Sequence, residues 1–288
     1  MGKGVGISDR TGGKHRLLDK LLGRECGIAG RGSADFRNIR TYTFLDLCAG
    51  DGEDNIKSGT SSPGIFKSHQ KHPNGLSYPD ECSPRVQSRA VLIEKDQTTF
   101  DKLRNNFPDA DCFNINALDI EDPGQVGIPN AYWEINNRES RQHVLFIHAD
   151  PNHVEDWPIN KRLLQNSPYY TTLLVTLGCN VGGLKRMPPE SRKEWFNRMD
   201  SVLRWLPKRH DAILVALRGD ASQWAYLIVG PRCWTEKYLQ DANKAFLKSW
   251  EKGVDAVSYR KDPAGFNQLV KELFLTEREK GEGCQIIE

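Results

Sequence analysis

Short apolar runs alternate with helical segments through most of this 288-residue chain. Five aliphatic and β-branched runs cover 43–49, 90–94, 110–115, 144–149 and 172–177. Helical patterns follow at 97–106 and 190–206. Strands separated by helical segments are typical of βαβ units, which build a mainly parallel sheet. The pattern therefore predicts an α/β fold with a mostly parallel sheet and helices on both faces.

The C-terminal third follows a different pattern. Two apolar runs, 212–217 and 226–229, are separated by the short link Arg218-Gly219-Asp220-Ala221-Ser222. Because a link of this length cannot hold a crossover helix, these two strands are predicted to pair antiparallel as a hairpin. The segments 233–250 and 266–280 are predicted to be helices.

Three regions are predicted along the chain. Residues 1–40 form an N-terminal extension with a short helix at 16–22 and a glycine-rich loop after it. Residues 41–232 form the main domain, and 233–288 contribute helices packed on the same domain. The stretch 53–88, rich in Ser, Gly, Pro, His and Lys, is too long for an idle connection and is predicted to be either a functional or a disordered loop.

Composition limits the class of protein. The chain has 40 Lys+Arg against 38 Asp+Glu, a formal net charge of +2, and no apolar run near the roughly 20 residues that span a membrane. We therefore expect a cytoplasmic monomer or homodimer with no membrane partner. Seven cysteines without a CxxC pair are expected to be reduced thiols. No metal is expected, since His69, His72 and Cys82 lack a fourth ligand at metal spacing.

A glycine turn follows the first predicted strand in the sequence LDLCAGDG, residues 45–52. Ligands of open parallel sheets bind at the carboxyl ends of the strands, and glycines let the backbone approach them closely. Asp46 and Asp51 flank the turn, which disfavours a diphosphate and favours a zwitterion with an ammonium group. An ordinary strand-to-helix turn remains the alternative.

Polar residues also end the second and third strands. Glu94, followed by Lys95, ends the second strand and has the carboxylate that can accept both hydroxyls of a ribose. Asn116 and the backbone N–H of Ala117 follow the third strand, where they can recognise an adenine edge. Each has an alternative as an exposed polar group at a strand end, but their succession favours a nucleoside ligand.

The series LDLCAGDG, VLIEKD and NINALD resembles the S-adenosylmethionine-binding motifs of class I methyltransferases, over residues 41–232. The resemblance implies a Rossmann-like sheet and S-adenosylmethionine as cofactor. It also implies that Asp46, Gly50 and Gly52 enclose the methionine moiety, that Glu94 holds the ribose, and that Asn116 with Ala117 meets the adenine. The full implied cofactor set is Asp46, Cys48, Ala49, Gly50, Asp51, Gly52, Glu94, Lys95, Asn116, Ala117 and Asp150.

A looser resemblance in layout links the chain to three-Cys-motif partner proteins. It comprises Gly13-Lys14-His15, the insertion ending in Ser61-Ser62-Pro63-Gly64, and IEKD followed by FDKLRNNF.

The fourth predicted strand ends in Asp150-Pro151-Asn152-His153. This sequence resembles the motif of nucleic-acid amino-methyltransferases, in which Asp, Asn or Ser precedes two prolines and an aromatic residue. Asp150 and Pro151 match, Asn152 replaces the second proline, and His153 stands at the ring position. The resemblance implies that the Asp150 side chain and the following carbonyl orient an exocyclic amine. The alternative is a proline turn that merely ends the strand.

Basic residues bear on a nucleic-acid substrate. The candidate phosphate contacts are Lys67, Lys71, Lys185, Arg186, Arg192 and Lys193. For the stretch 185–209, a solvated helix face is the commoner explanation. The hypothesis is a DNA adenine-N6 methyltransferase, with RNA as a possible substrate. Low or very short sequence specificity is expected, because no long segment is left for a target-recognition domain. The rivals are methylation of RNA, protein or a small molecule, and a catalytically silent binding protein.

Overall fold

The computed structural model describes residues 11–31, 39–53, 60–71, 86–128, 140–151, 161–178, 188–217, 224–246 and 254–275. The chain divides into two compact units. The first unit contains Met1–Ala149 and Arg162–Thr172, and the second contains Asp150–Lys161 and Leu173–Glu288. No helix in the described ranges is both long and apolar enough to cross a membrane.

The first unit contains four parallel strands in the order β3-β2-β1-β4. They are β1 (Thr41–Asp46), β2 (Gln87–Ile93), β3 (Asp111–Phe113) and β4 (His143–Ala149). Phe44 of β1 lies between Ala90 of β2 and Phe146 of β4. Five of the six residues of β1 are buried, as expected for a central strand that is covered on both faces. The parallel arrangement predicted for these strands is confirmed.

The helices of the first unit differ from the predictions in two places. They are α1 (Thr11–Arg31), α2 (Ser62–Lys71) and α3 (Gln97–Asn106), and α4 spans Lys161–Gln165. The α3 prediction is confirmed at both ends. The predicted glycine-rich loop after residue 22 is wrong, because α1 continues through it, and α2 lies within the stretch that was predicted to be irregular.

The length of α1 follows from its buried stripe. Leu18, Leu22, Cys26 and Ala29 are all buried and recur at helical spacing. Their burial outweighs the cost of roughly 1 kcal/mol that each interior glycine imposes. Gly23 is also needed for packing, since a Cβ there would lie 2.9 Å from Cε1 of His69 in α2.

The second unit contains strands in the order β5-β7-β6-β8, and each neighbouring pair is antiparallel. The strands are β5 (Tyr170–Gly178), whose residues from Leu173 onward belong to this unit, β6 (His210–Leu217), β7 (Trp224–Pro231) and β8 (Val254–Ser258). The helices are α5 (Pro189–Trp205), α6 (Thr235–Phe246) and α7 (Pro263–Phe274). The predicted β6–β7 hairpin is confirmed. Strand β8 was not predicted, because four of its five residues are only partly buried and give no clear apolar pattern.

A buried carboxylate joins three elements of the second unit. Asp211, near the start of β6, is 3% exposed. It accepts hydrogen bonds from Ser258 Oγ at 2.6 Å, Thr235 Oγ1 at 3.0 Å and the Arg260 amide at 3.1 Å. Asp211 thus ties β6 to the end of β8 and to the first residue of α6. The two units together confirm the α/β class, with parallel strands first and antiparallel C-terminal strands after them.

Candidate functional site

The carboxyl ends of the first unit's strands are joined by backbone hydrogen bonds beyond the strands themselves. The Leu47 amide donates to the His148 carbonyl at 2.9 Å, which links β1 to β4. The Ala49 amide donates to the Ile93 carbonyl at 3.0 Å, which links β1 to β2. Neighbouring strands lie about 4.8 Å apart. The glycine turn after β1 therefore lies directly between the ends of β4 and β2.

The end of β3 is joined to the end of β2 in the same way. The Glu94 amide donates to the Phe113 carbonyl at 3.2 Å. Asn114 Nδ2 donates to the carbonyls of Glu94 at 2.9 Å and Lys95 at 3.2 Å. The structure thus brings the predicted turn, the predicted acidic residue and the start of the predicted amide segment to one edge of the sheet. Asn114, which holds that edge together, was not among the predicted site residues.

The two glycines of the turn have different surroundings. Gly50 (φ +62°) and Gly52 (φ +69°) both adopt the left-handed conformation that favours glycine. A Cβ on Gly50 would meet no atom of the described residues within 4 Å, so these residues leave the backbone there open. A Cβ on Gly52 would lie 2.4 Å from Cε2 of Phe107. Gly52 is therefore required for packing as well as for the turn.

This difference gives a prediction for stability. Gly52→Ala should lower the free energy of unfolding by about 2–4 kcal/mol, from the left-handed conformation and the collision with Phe107 together. Gly50→Ala, the matched control, should cost only about 1–2 kcal/mol, because only the conformational cost applies. Urea unfolding measures both. Equal destabilisation by the two substitutions would show that the collision at Gly52 is absent.

Asp46, at the end of β1, has no solvent exposure. Its Oδ2 accepts a hydrogen bond from Ser62 Oγ at 2.5 Å, and its Oδ1 accepts from the Cys48 amide at 3.2 Å. His148 Nδ1 of β4 lies 3.2 Å from the same Oδ1. We call Asp46, Ser62 and His148 the Asp46 cluster. Its members come from β1, α2 and β4, so a single carboxylate joins three elements.

The electrostatics of this cluster favour an ionised carboxylate. Burial alone would raise the pKa of Asp46, but the charge and hydrogen bond of His148, together with the hydrogen bonds from Ser62 and Cys48, lower it overall. The predicted contact between Asp46 and a ligand's ammonium group does not fit this placement. The carboxylate is enclosed and both of its oxygens are engaged, so Asp46 supports the turn from beneath.

The start of α2 is fastened to the other end of the turn. Ser61 Oγ donates to the Gly52 carbonyl at 2.8 Å and accepts from the Gly64 amide at 3.3 Å. Ser61 therefore caps α2 and holds Gly52 at the same time. The sequence signal for this arrangement is the Ser-Ser-Pro-Gly run at the start of an apolar helix, which the prediction used only as a family resemblance.

The predicted ribose and adenine residues occupy the adjacent strand ends. Glu94 is half-buried, and its Oε1 accepts from the Asp96 amide at 2.8 Å. Asn116 Oδ1 accepts from the Leu118 amide at 3.2 Å and caps a short 3-10 turn, whose first residue, Ala117, is buried. The cap uses the oxygen of Asn116, so the side chain presents its NH₂ group as a donor.

A cavity of about 500 Å³ opens beside the turn. Its walls include Gly52, Glu53, Gly64, Lys67, Asn106 and Phe107. Lys67 Nζ lies 5.6 Å from the centre of the Phe107 ring, and Asn106 Nδ2 donates to the Asp51 carbonyl at 2.9 Å. Among the described residues that line the cavity, Lys67 carries a positive charge and Glu53 a negative charge. Lys67 was predicted as a phosphate contact, whereas the structure places it in this cavity.

The remaining predicted residues have varied positions. Asp150 and Pro151 follow β4 directly and are half-buried, while Asn152 and His153 lie outside the described residues. Lys185 and Arg186 also lie outside them, and Lys71 is described only as the last residue of α2. Lys193 is exposed on α5.

Arg192 corrects the prediction of a basic surface on α5. The residue is 7% exposed and lies on the buried face of the helix with Trp195, Phe196 and Met199. These positions share one helical face because they are three, four and seven residues apart. A buried guanidinium on the core side of α5 does not contact phosphate, so Arg192 is removed from the predicted nucleic-acid surface.

The predicted histidine pair has a structural role where it is described. His69 Nε2 lies 2.8 Å from Asp19 Oδ1, which joins α2 to α1, and His72 and Cys82 lie outside the described residues. The part of the chain that the structure describes contains no group of three potential metal ligands. Cys26, Cys48, Cys112 and Cys233 form no disulfide within that part.

Comparisons with known proteins give likeness of fold alone. No family model and no curated protein matches the chain. Among solved structures, a Legionella pneumophila protein has 11% identity and a TM-score of 0.49, covering 89% of this chain and 97% of its own. An O-methyltransferase from Bacillus cereus in complex with S-adenosylhomocysteine has 13% identity and a TM-score of 0.42, covering 79% and 84%. The O-methyltransferase TomG from Streptomyces achromogenes, in complex with S-adenosylmethionine, has 14% identity and a TM-score of 0.40, covering 74% and 79%. With TM-scores below 0.5, these likenesses identify no activity for this chain.

Proposed function

We propose that this protein is an S-adenosylmethionine-dependent methyltransferase that binds its cofactor along the carboxyl ends of β1, β2 and β3. One observation carries the proposal. The open glycine turn, the carboxylate of Glu94 and the amide of Asn116 follow three neighbouring strands, whose ends are joined by the hydrogen bonds of Ala49 and Glu94. Such an edge is where open α/β sheets bind their ligands.

Each part of the cofactor has a matching strand end. Glu94 Oε1 already accepts one N–H from Asp96, and the carboxylate keeps further acceptor sites for two ribose hydroxyls. The NH₂ group of Asn116 and the amide of Ala117 are donors suited to adenine ring nitrogens. No described residue lies within 4 Å of a Cβ built on Gly50, and we assign the sulfonium end to this position. This order assigns one moiety to each strand.

The amino-acid end of the cofactor fits the cavity beside Gly52. A methionine end carries one carboxylate and one ammonium group, and the cavity walls carry the opposite charges on Lys67 and Glu53. Its volume of about 500 Å³ lies in the usual range for small-molecule sites. We assign the carboxylate to Lys67 and the ammonium to Glu53, which replaces the role first given to Asp46.

This assignment predicts a selective loss of affinity. Lys67→Met should weaken S-adenosylhomocysteine binding about tenfold, the effect of a partly exposed charge-assisted contact. Binding of 5′-methylthioadenosine, which lacks both charged groups, should stay within about twofold, because that ligand has no carboxylate for the lysine. Calorimetric titration measures both ligands. Lys102→Met, on the exposed face of α3, is the control, and a loss shared by both ligands would contradict the assignment.

The finer proposal concerns the methyl acceptor. Asp150 follows β4 by one peptide bond, and the end of β4 lies beside the glycine turn. When bound, the cofactor supplies an electrophilic methyl group: the C–S bond breaks as the N–C bond forms, and the sulfonium becomes a neutral thioether. Asp150 accepts a hydrogen bond from the attacking amine and directs its lone pair, and the surplus proton passes to solvent after transfer.

The acceptor that this motif favours is the exocyclic amine of adenine in DNA, with low or very short sequence specificity. The sequence Asp150-Pro151 supports it, and exposed Lys193 remains a candidate phosphate contact. Tritiated cofactor incubated with DNA, RNA and protein in parallel tests the acceptor. N6-methyladenine in DNA is the expected product. Label in RNA or protein would mean that DNA is not the acceptor. Methylation of DNA only at a long, strict sequence would contradict the low specificity. Cofactor binding without any transfer would indicate a catalytically silent binding protein.

A further inference from the structure

The Asp46 cluster is connected to both ends of the glycine turn. Asp46 contacts the first end directly, and Ser62 is linked to the second end through its chain neighbour Ser61. At the first end, Asp46 Oδ1 accepts the amide of Cys48 at 3.2 Å. At the second end, Ser61, the neighbour of Ser62, donates to the Gly52 carbonyl at 2.8 Å. The turn is thus fixed on both sides of Gly50, whose backbone stays open.

We propose that Ser62 and His148 are positioning residues for the cofactor: through Asp46 they hold the backbone of the turn in the shape that receives the ligand. This inference rests on the proposed function. Ser62 does so from α2, with Oγ 2.5 Å from Asp46 Oδ2, and His148 does so from β4, with Nδ1 3.2 Å from Oδ1. Neither side chain meets the ligand, since both are buried.

His148 is itself held in place. Its ring is 2% exposed and stacks on Phe44 with a centroid distance of 6.3 Å, and its carbonyl accepts the Leu47 amide at 2.9 Å. A buried carboxylate needs hydrogen bonds for each of its oxygens. If the cluster served only to hold β1, α2 and β4 together, well-packed apolar side chains could do so equally well. What the carboxylate adds is a fixed acceptor for the Cys48 amide at the start of the turn.

Asp211 with its partners Ser258 and Thr235, which we call the Asp211 cluster, provides a matched control. Asp211 is also buried, and Ser258 Oγ donates to its Oδ2 at 2.6 Å, nearly the geometry of Ser62 and Asp46. It lies near the start of β6 in the second unit, whereas the described glycines with a positive φ, Gly50, Gly52 and Gly127, all belong to the first unit. Ser62→Ala and Ser258→Ala therefore each remove a hydroxyl that donates to a buried aspartate, one in the unit that holds the candidate site and one in the other unit. Ser258 Oγ also accepts the Lys261 amide at 3.1 Å.

The test measures thermal stability and S-adenosylhomocysteine affinity for both variants. Each should lower the melting temperature by about 2–6 °C, and Ser258→Ala by at least as much as Ser62→Ala, because it also removes the acceptor of the Lys261 amide. Only Ser62→Ala should raise the dissociation constant, by about tenfold, the loss expected from one charge-assisted hydrogen bond. Ser62→Thr keeps the hydroxyl and should recover most of the affinity.

The outcomes distinguish the positioning role of Ser62 from the proposed function. If the wild-type protein binds the ligand and Ser62→Ala binds it equally well, the positioning role is overturned and the proposed function stands. If Ser62→Thr binds as weakly as Ser62→Ala, or if Ser258→Ala weakens binding equally, the hydroxyl beneath the turn does not position the ligand. Absence of binding by the wild-type protein would overturn the proposed function itself.

Discussion

Asp150→Ala is expected to reduce methyl transfer by about a thousandfold while the dissociation constant for S-adenosylhomocysteine stays within about twofold, since positioning of reacting groups contributes on that scale. In the proposed mechanism the carboxylate orients the acceptor amine, and alanine has no hydrogen-bond acceptor atom on its side chain to do so. The residues proposed to hold the cofactor at the ends of β1, β2 and β3 are unchanged in this variant. Single-turnover transfer of a tritiated methyl group and a parallel calorimetric titration separate the two quantities.

Asp150→Asn is the control for this prediction. Its amide oxygen can still accept a hydrogen bond from an amine, so it should keep measurably more activity than alanine does. Transfer that persists unchanged in Asp150→Ala would remove Asp150 from the reaction. A large loss of cofactor affinity in the same variant would move its role from the acceptor to the cofactor.

Asp46→Ala is expected to lower the free energy of unfolding by about 3–5 kcal/mol, the cost of removing one partner of a buried charged pair. The change removes the carboxylate that both His148 and Ser62 contact and opens a cavity at the end of β1. Urea unfolding at neutral pH measures it. The control is Asp51→Ala in the same turn, where the half-buried carboxylate accepts only the Glu53 amide at 3.1 Å among the contacts described. Its cost should stay within about 1 kcal/mol.

The difference in unfolding free energy between the wild-type protein and Asp46→Ala should decrease at acid pH. The pKa of Asp46 is lowered in the folded protein, because His148, Ser62 and Cys48 together outweigh the effect of burial. Its contribution is therefore fully present above the ordinary carboxyl pKa of 3.8 and is lost as the pH falls through the lower folded value. Wild-type protein should lose stability in this acid range faster than Asp46→Ala does. Parallel acid dependence of the two proteins would show that Asp46 is not ionised in the fold.

Local sequence patterns were sufficient to predict several helices and strands. Asp96 caps α3 by accepting the Thr99 amide at 2.8 Å, and this cap is readable from the sequence. The alternation of apolar runs and helices gave the parallel strands of the first unit, and a short link gave the β6–β7 hairpin. Helix α1 was predicted too short because its glycines were weighted above the apolar stripe that ends at Ala29.

The site was predictable only in part. The glycine turn and Glu94 each follow an apolar run, so their arrival at one sheet edge follows from parallel pairing. The partners of Asp46 are 16 and 102 residues away in sequence, and no local pattern links them to it. The sequence therefore assigned Asp46 to the ligand, whereas tertiary packing buries it. The placement of Lys67 over the ring of Phe107, the residue that follows α3, likewise joins positions 40 residues apart that no local pattern links.

The central claim is that the ends of β1, β2 and β3 hold the cofactor. Calorimetric titration of the wild-type protein with S-adenosylhomocysteine, with NAD⁺ as the control ligand, tests it most directly. The account predicts saturable one-to-one binding of S-adenosylhomocysteine and none of NAD⁺. No binding of S-adenosylhomocysteine, or equal binding of both ligands, would contradict it.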